Sequence, residues 1–76
     1  MLWFYVMIRT GTQVKWKWGE SYAEGEVQEV KHESVTRTID GEEVTRNGDD
    51  DNPAYVIKQS DGTKVLKLKS EVERAD

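Results

Sequence analysis

The sequence predicts an all-β fold: a small, strongly bent antiparallel barrel of the SH3-like type, with about five strands and a short C-terminal helical turn. Three observations predict it. Apolar and charged residues alternate at period two, most clearly in "VKWKW", as in a half-buried strand. Two Asp-Gly pairs, Asp40-Gly41 and Asp61-Gly62, sit between such runs, where two-residue hairpin turns form. The chain has 76 residues and no cysteine, so it supports one small core without disulfides. Three Trp, three Tyr and one Phe are the large side chains available to fill it. Each one buried contributes roughly 1.5–3 kcal/mol, so two or three decide whether the domain folds.

The opening run "MLWFYVMI" is apolar and unbroken. It is too short to cross a bilayer, which takes about 20 residues. No basic residue precedes it and no small-residue cleavage motif follows, which argues against a signal peptide. Residues 1–8 are therefore set apart as an N-terminal extension, and 9–74 as the barrel domain. Three readings of the run stay open. It is an extra strand laid on the barrel, a stretch upstream of a natural start at Met7, or an edge strand that pairs with a second copy. An apolar, β-prone segment aggregates when exposed, so each reading expects it to be covered.

In "VKWKW", Val14, Trp16 and Trp18 face one way and Lys15 and Lys17 the other. Trp16, at the centre of the run, is expected to be buried. Trp18, beside Gly19, is expected to be half exposed. "GESY" then reads as a loop. In "AEGEVQEVKH", Ala23, Gly25 and Val27 are in phase and Val30 is not, so a bulge or bend is expected between Val27 and Val30. Gly25 suits a place where backbones come close.

The Asp40-Gly41 turn sets Ile39 opposite Glu42, Arg37 opposite Val44 and Val35 opposite Arg46. Val35, Ile39 and Val44 share a face, so this hairpin is expected to be half buried and to project from the barrel. "NGDDDNP" is a loop by composition. A two-residue turn at Asp61-Gly62 would pair Ile57 with Leu66 and Tyr55 with Leu68, all on the core face, with Lys58 and Lys67 opposite. "SEVE" matches a capping box, with Ser70 as N-cap and Glu73 three residues on.

Net charge is −4, with 34% charged residues, and this lacks the footprint of a general nucleic-acid binder or a polybasic membrane anchor. The absence of cysteine fits a reducing cytoplasm. His32 is the single histidine, and Ser34 is its nearest serine, but no third group is placed to orient such a pair. No enzyme is expected. The acidic loop Asp49-Asp50-Asp51-Asn52 invites a calcium reading, yet Pro53 falls at the third ligand position of the EF-hand pattern. Neither a metal nor a cofactor is expected, and no phosphate-cradling glycine motif is present.

At this point "VKWKWGESYAEGEVQEV", followed by "VTRNGDDDNPAYVIKQSDGTKVLKLKSEVE", resembles the hypervirulence-associated protein family with a Tudor-like domain. The resemblance runs from about Arg9 to Arg74. It rests on "VKWKWG" with a later "GEV", Asn-Pro before "AYVIKQ", "DGTKVL" and the closing "KSEVE". The apolar start is not part of the pattern. It implies small Tudor-like proteins of bacteria and fungi, with no established molecular activity.

A Tudor-like fold implies a test for an aromatic cage, in which rings surround a methylated cation. Trp18 and Tyr22 flank the first loop, Tyr55 follows the acidic loop, and Asp50 or Asp51 would supply the charge. Tyr55 is also claimed by the core. These five residues are the candidate surface for a protein or peptide partner. The alternative is nucleic-acid binding through Lys15, Lys17, Trp18, Lys58, Lys67 and Lys69, with bases stacked on exposed rings. Residues 58–69 carry four lysines against Asp61, while 40–52 carry six acidic residues against Arg46, so charge is segregated along the chain. A third alternative is structural: self-association through residues 1–8.

Overall fold

The computed structural model describes residues 8–75. Seven strands follow in order: β1 (Gln13–Trp18), β2 (Ser21–Lys31), β3 (Ser34–Ile39), β4 (Glu42–Asn47), β5 (Ala54–Lys58), β6 (Lys64–Leu68) and β7 (Glu73–Arg74). A 3-10 turn over Lys69–Glu71 joins the last two. Five strands form one antiparallel sheet in the order β6-β5-β2-β1-β7, and β3 and β4 pair separately. The fold is all-β, as the alternation predicts. The ladder of the main sheet is not closed among the described residues: β6 and β7 are its edges.

Two apolar clusters lie on opposite faces of this sheet. Val14, Trp16, Val27, Tyr55 and Ile57 form the first, with Ile8, Ala23, Val30, Val65 and Val72 packed against them. Val35, Ala54, Val56 and Leu66 form the second, with Ile39, Val44 and Leu68. The β3–β4 hairpin covers this second face. β5 is therefore buried on both sides, which is why "AYVI" reads as an unbroken apolar run.

Trp16 is buried at 4% exposure, as its place in the run predicts. The expected bend in β2 is a register shift between Val27 and Glu29, which returns Val30 to the side of Tyr55. The first Asp-Gly hairpin has the predicted register throughout. Asp40 and Gly41 both have positive φ, 51° and 81°, as a type I′ turn requires.

The second Asp-Gly hairpin differs by one residue. Ile57 lies opposite Val65, Tyr55 opposite Lys67 and Val56 opposite Leu66. The loop is the reason. Gln59 N–H donates to the Thr63 carbonyl at 2.7 Å, and Gly62 N–H to the Gln59 carbonyl at 2.9 Å. Gly62, at φ 92°, is the last of three loop residues, as in a type I turn followed by a left-handed residue. The Asp61 carboxylate accepts from Thr63 N–H at 2.9 Å and holds this shape. A one-residue slip flips every side chain on a strand. Leu66 and Leu68 thus leave the Trp16 face for the hairpin side, and Lys67 takes their place there.

Two further expectations are corrected. "GESY" is not a four-residue loop: Trp18 already pairs with Ser21, and Gly19-Glu20 alone make the turn, with Gly19 at φ 63°. Tyr22 is therefore a strand residue. Ser70 is not an N-cap, because its amide and hydroxyl are bonded to Asn52, and Glu73 belongs to β7 opposite Lys15. The capping carboxylate is Glu71, which accepts from Leu68 N–H at 2.8 Å. Ile8 packs on the first core. The rest of the apolar start, and with it the three readings of that run, lies outside the described residues.

Candidate functional site

Among the described residues, the large aromatics that the fold leaves exposed are at the tip of the β1–β2 hairpin: Trp18 at 71% and Tyr22 at 55%. Strand geometry explains both. Trp18 continues the alternation that buries Val14 and Trp16, but it lies beyond the reach of the core, next to the turn. Tyr22 lies opposite Lys17, one position along from Trp18. Neighbouring positions point to opposite faces of a sheet. Trp18 and Tyr22 therefore flank the tip from either side rather than standing face to face. On the Tyr22 side, Lys15 holds its Nζ 5.4 Å from the phenol ring centroid, within cation–π range.

Tyr55 is not at this surface. It is 1% exposed, among Val14, Trp16, Val27 and Ile57, and burial pushes its hydroxyl pKa up. It acts as core, one of the two roles the sequence left to it.

Asp50 and Asp51 lie at the other end of β2. Ser21 closes that strand beside Trp18, and Lys31 closes it opposite Ala54, next to the acidic loop. About 30 Å of strand path separates the two ends. The acidic loop is organised by its own first residue: the Asp49 carboxylate accepts from the amides of Asp51 and Asn52, at 3.0 and 2.7 Å. Asp50 is turned outward, 3.8 Å from His32 Nδ1. Asn52 reaches back to the 3-10 turn, bonding the Ser70 hydroxyl at 3.2 Å and the Ser70 amide at 2.9 Å. Among the described residues, no three histidine, aspartate or glutamate side chains gather to hold a metal ion.

The six residues of the nucleic-acid alternative are also divided. Lys15, Lys17 and Lys58 share one face of the sheet, interleaved with Glu24 and Glu26 on the neighbouring strand. A shallow polar cleft of about 350 Å³ on that face is lined by Glu24, Glu26 and Lys58 together, so it presents both signs of charge. Trp18 and Lys67 are on the other face, where the Lys67 ammonium stands 6.0 Å from the buried Trp16 ring. Lys69 lies in the 3-10 turn. Ser34 donates its hydroxyl proton to Asn47 Oδ1 at 2.9 Å, and His32 faces Asp50.

Residues 11–72 match the family model described as the hypervirulence associated proteins TUDOR domain. The chain belongs to this family. The Tudor-domain assignment covers every strand except β7 and leaves out the apolar start. Tudor-like domains are generally small, non-catalytic binding modules. The searches of curated proteins and of solved structures each gave no match. Among the described residues no helix is long and apolar enough to cross a membrane.

Two residues that matter here were not singled out by sequence reasoning for what they do. The sequence places Asn52 only in an acidic loop, whereas it ties that loop to the C-terminal turn. Lys17 enters only as a phosphate-facing lysine of the nucleic-acid alternative, whereas it stands on the outward edge of β1, past the end of β7 among the described residues. The Gly-Glu pair at 19–20 is the one signal that could have located that edge, because a two-residue turn fixes which strand residues point outward.

Proposed function

We propose that this Tudor-domain protein is a cytoplasmic binding module whose Trp18–Tyr22 tip takes a protein or peptide partner. One observation carries the reading: an indole 71% exposed at the end of the same strand that buries another at 4%. Trp and Tyr dominate binding energy where a partner desolvates them. The tip is small, so affinity is modest. A methyl-cation cage built from all five candidate residues is not supported, since Tyr55 is core and the carboxylates stand at the far end of β2.

An array of synthetic peptides, screened with the full chain and its Trp18→Ala and Tyr22→Ala variants, tests this. Spots bound by the parent chain and lost by Trp18→Ala, with the circular dichroism spectrum unchanged, support it. Spots retained by both variants overturn it. The nucleic-acid alternative is distinguished by salt, because phosphate binding weakens steeply as salt rises.

A further inference from the structure

We infer that the partner at this tip is an extended peptide segment that adds to the free end of β1 as a further strand, with an acidic side chain beside Lys17 and an apolar one beside Trp18. This rests on the reading of the tip as a binding surface. Two bonds fix which way each β1 residue turns its N–H and C=O. Val27 N–H donates to the Thr12 carbonyl at 2.9 Å, so even-numbered residues bond toward β2. Ala75 N–H donates to the Gln13 carbonyl at 2.9 Å, so odd-numbered residues bond outward, toward β7.

β7 is two residues long, and it reaches only as far as Lys15, opposite Glu73. Before Glu73 the chain is occupied elsewhere. Val72 N–H bonds the Lys69 carbonyl at 3.3 Å, and Glu71 caps Leu68. Lys17 is the next outward residue of β1 and is exposed. Its N–H and C=O have no partner among the described residues. An unpaired, accessible strand edge is a template for another strand.

The side chains specify what that strand would carry. Lys15 is already compensated, with Glu24 opposite it on β2 and Glu73 on β7. Lys17 faces Tyr22 across the ladder and makes no ion pair among the described residues. A carboxylate on an added strand would fill that place. The neighbouring position of the same strand would fall on the Trp18 face and favour an apolar group. In strand addition, main-chain bonds give affinity and alternating side chains give specificity. A second copy is a poor occupant, because a two-fold pairing centred here sets Lys17 against Lys17, and like charges directly opposite destabilise.

The test uses the isotopically labelled full chain and a synthetic hexapeptide alternating glutamate and valine. Two analogues are N-methylated at alternate backbone amides, one in each phase. The expected result is a shift of the Lys17 amide and the Trp18 indole signals, with slowed exchange at the Lys17 amide. One methylated phase should bind roughly tenfold more weakly, the loss of one or two main-chain bonds, and the other phase should bind as the parent does. Lys17→Pro removes the outward donor at a position where proline is tolerated, and should weaken binding similarly. Lys17→Glu should shift preference to a lysine–valine peptide. Equal binding by both methylated phases, or no Lys17 shift at millimolar peptide, overturns strand addition. Trp18→Ala separates the two readings: if it abolishes binding while both phases bind equally, the aromatic tip stands and only the added strand falls.

Discussion

Gly25 and Ile57 meet so closely that no side chain fits between them. A methyl carbon at Gly25 would stand 2.5 Å from Cγ2 of Ile57 and 2.8 Å from the Lys58 carbonyl oxygen. This contact is where β2 runs beside its antiparallel neighbour β5, against a side chain of the first core. Gly25→Ala is expected to destabilise the domain by about 1–3 kcal/mol through overpacking. Trimming Ile57 would not rescue it, because the carbonyl is backbone. Urea denaturation of Gly25→Ala checks this, and an unchanged midpoint would show that the strands can separate freely here.

The tryptophans differ in the same measurable way. Trp3 lies outside the described residues, so a Trp3→Phe background isolates the other two. In that background, acrylamide should quench the emission of a Trp16→Phe chain, which reports Trp18, far more than that of a Trp18→Phe chain. Trp16→Ala is expected to cost about 3–5 kcal/mol, close to the whole stability of a domain this small, and to leave the chain unfolded at room temperature. Trp18→Ala should leave the denaturation midpoint within about 0.5 kcal/mol of the parent.

Acid should loosen the β3–β4 hairpin and the C-terminal turn. Burial alone would raise the Glu71 pKa, but the Leu68 N–H bond and the Arg46 guanidinium at 3.2 Å outweigh it, with Lys67 adding to the same effect, so the net shift is downward. The Glu29 pKa is also lowered, chiefly by its bond to Arg37 at 2.9 Å. A carboxylate with a depressed folded-state pKa contributes stability that is present above its ordinary value of 4.5 and is lost as pH falls through the folded value. Stability should therefore hold at neutral pH and decline below about 4.5. Glu71→Gln should flatten that acid limb. A pH series of thermal midpoints checks it; an acid limb unchanged in Glu71→Gln would remove this residue from the linkage.

Much of the fold is legible in the residues because each relevant signal is local. The type I′ turn at Asp40-Gly41 needs two positive φ values in a row, and Asp-Gly supplies them. The bulge in β2 is visible as a phase error at Val30. The Asp61-Gly62 turn is not legible in the same way. Asp-Gly also suits a three-residue loop with glycine at its last position, and the choice depends on bonds from Gln59 and Thr63. β5 hides the error, because a strand buried on both faces offers no alternation to fix its register. The candidate residues are divided for a related reason. Trp18, Tyr22, Asp50 and Asp51 each sit near a loop in the sequence, but only the length of β2 reveals that those loops are at opposite ends. Tyr55 offered its ring to two roles, and the core took it.

Asn52 gives a last prediction, because its effect should be confined to one end of the molecule. Its side chain makes two bonds to Ser70, and the adjacent Pro53 carbonyl accepts from Lys69 N–H at 2.9 Å. Together they hold the acidic loop to the 3-10 turn. Both side-chain bonds are solvent-exposed, so Asn52→Ala should cost only about 1 kcal/mol globally. Its local effect should be larger: amide exchange should accelerate at Ser70, whose N–H loses its acceptor. The amides of Asp51 and Asn52 itself should change less, since Asp49 holds them independently. Exchange at Trp16 and Ala23, which lie opposite each other near the other end of β2, should not change. A uniform acceleration over all these positions would mean that the Asn52–Ser70 pair supports the whole fold rather than one loop.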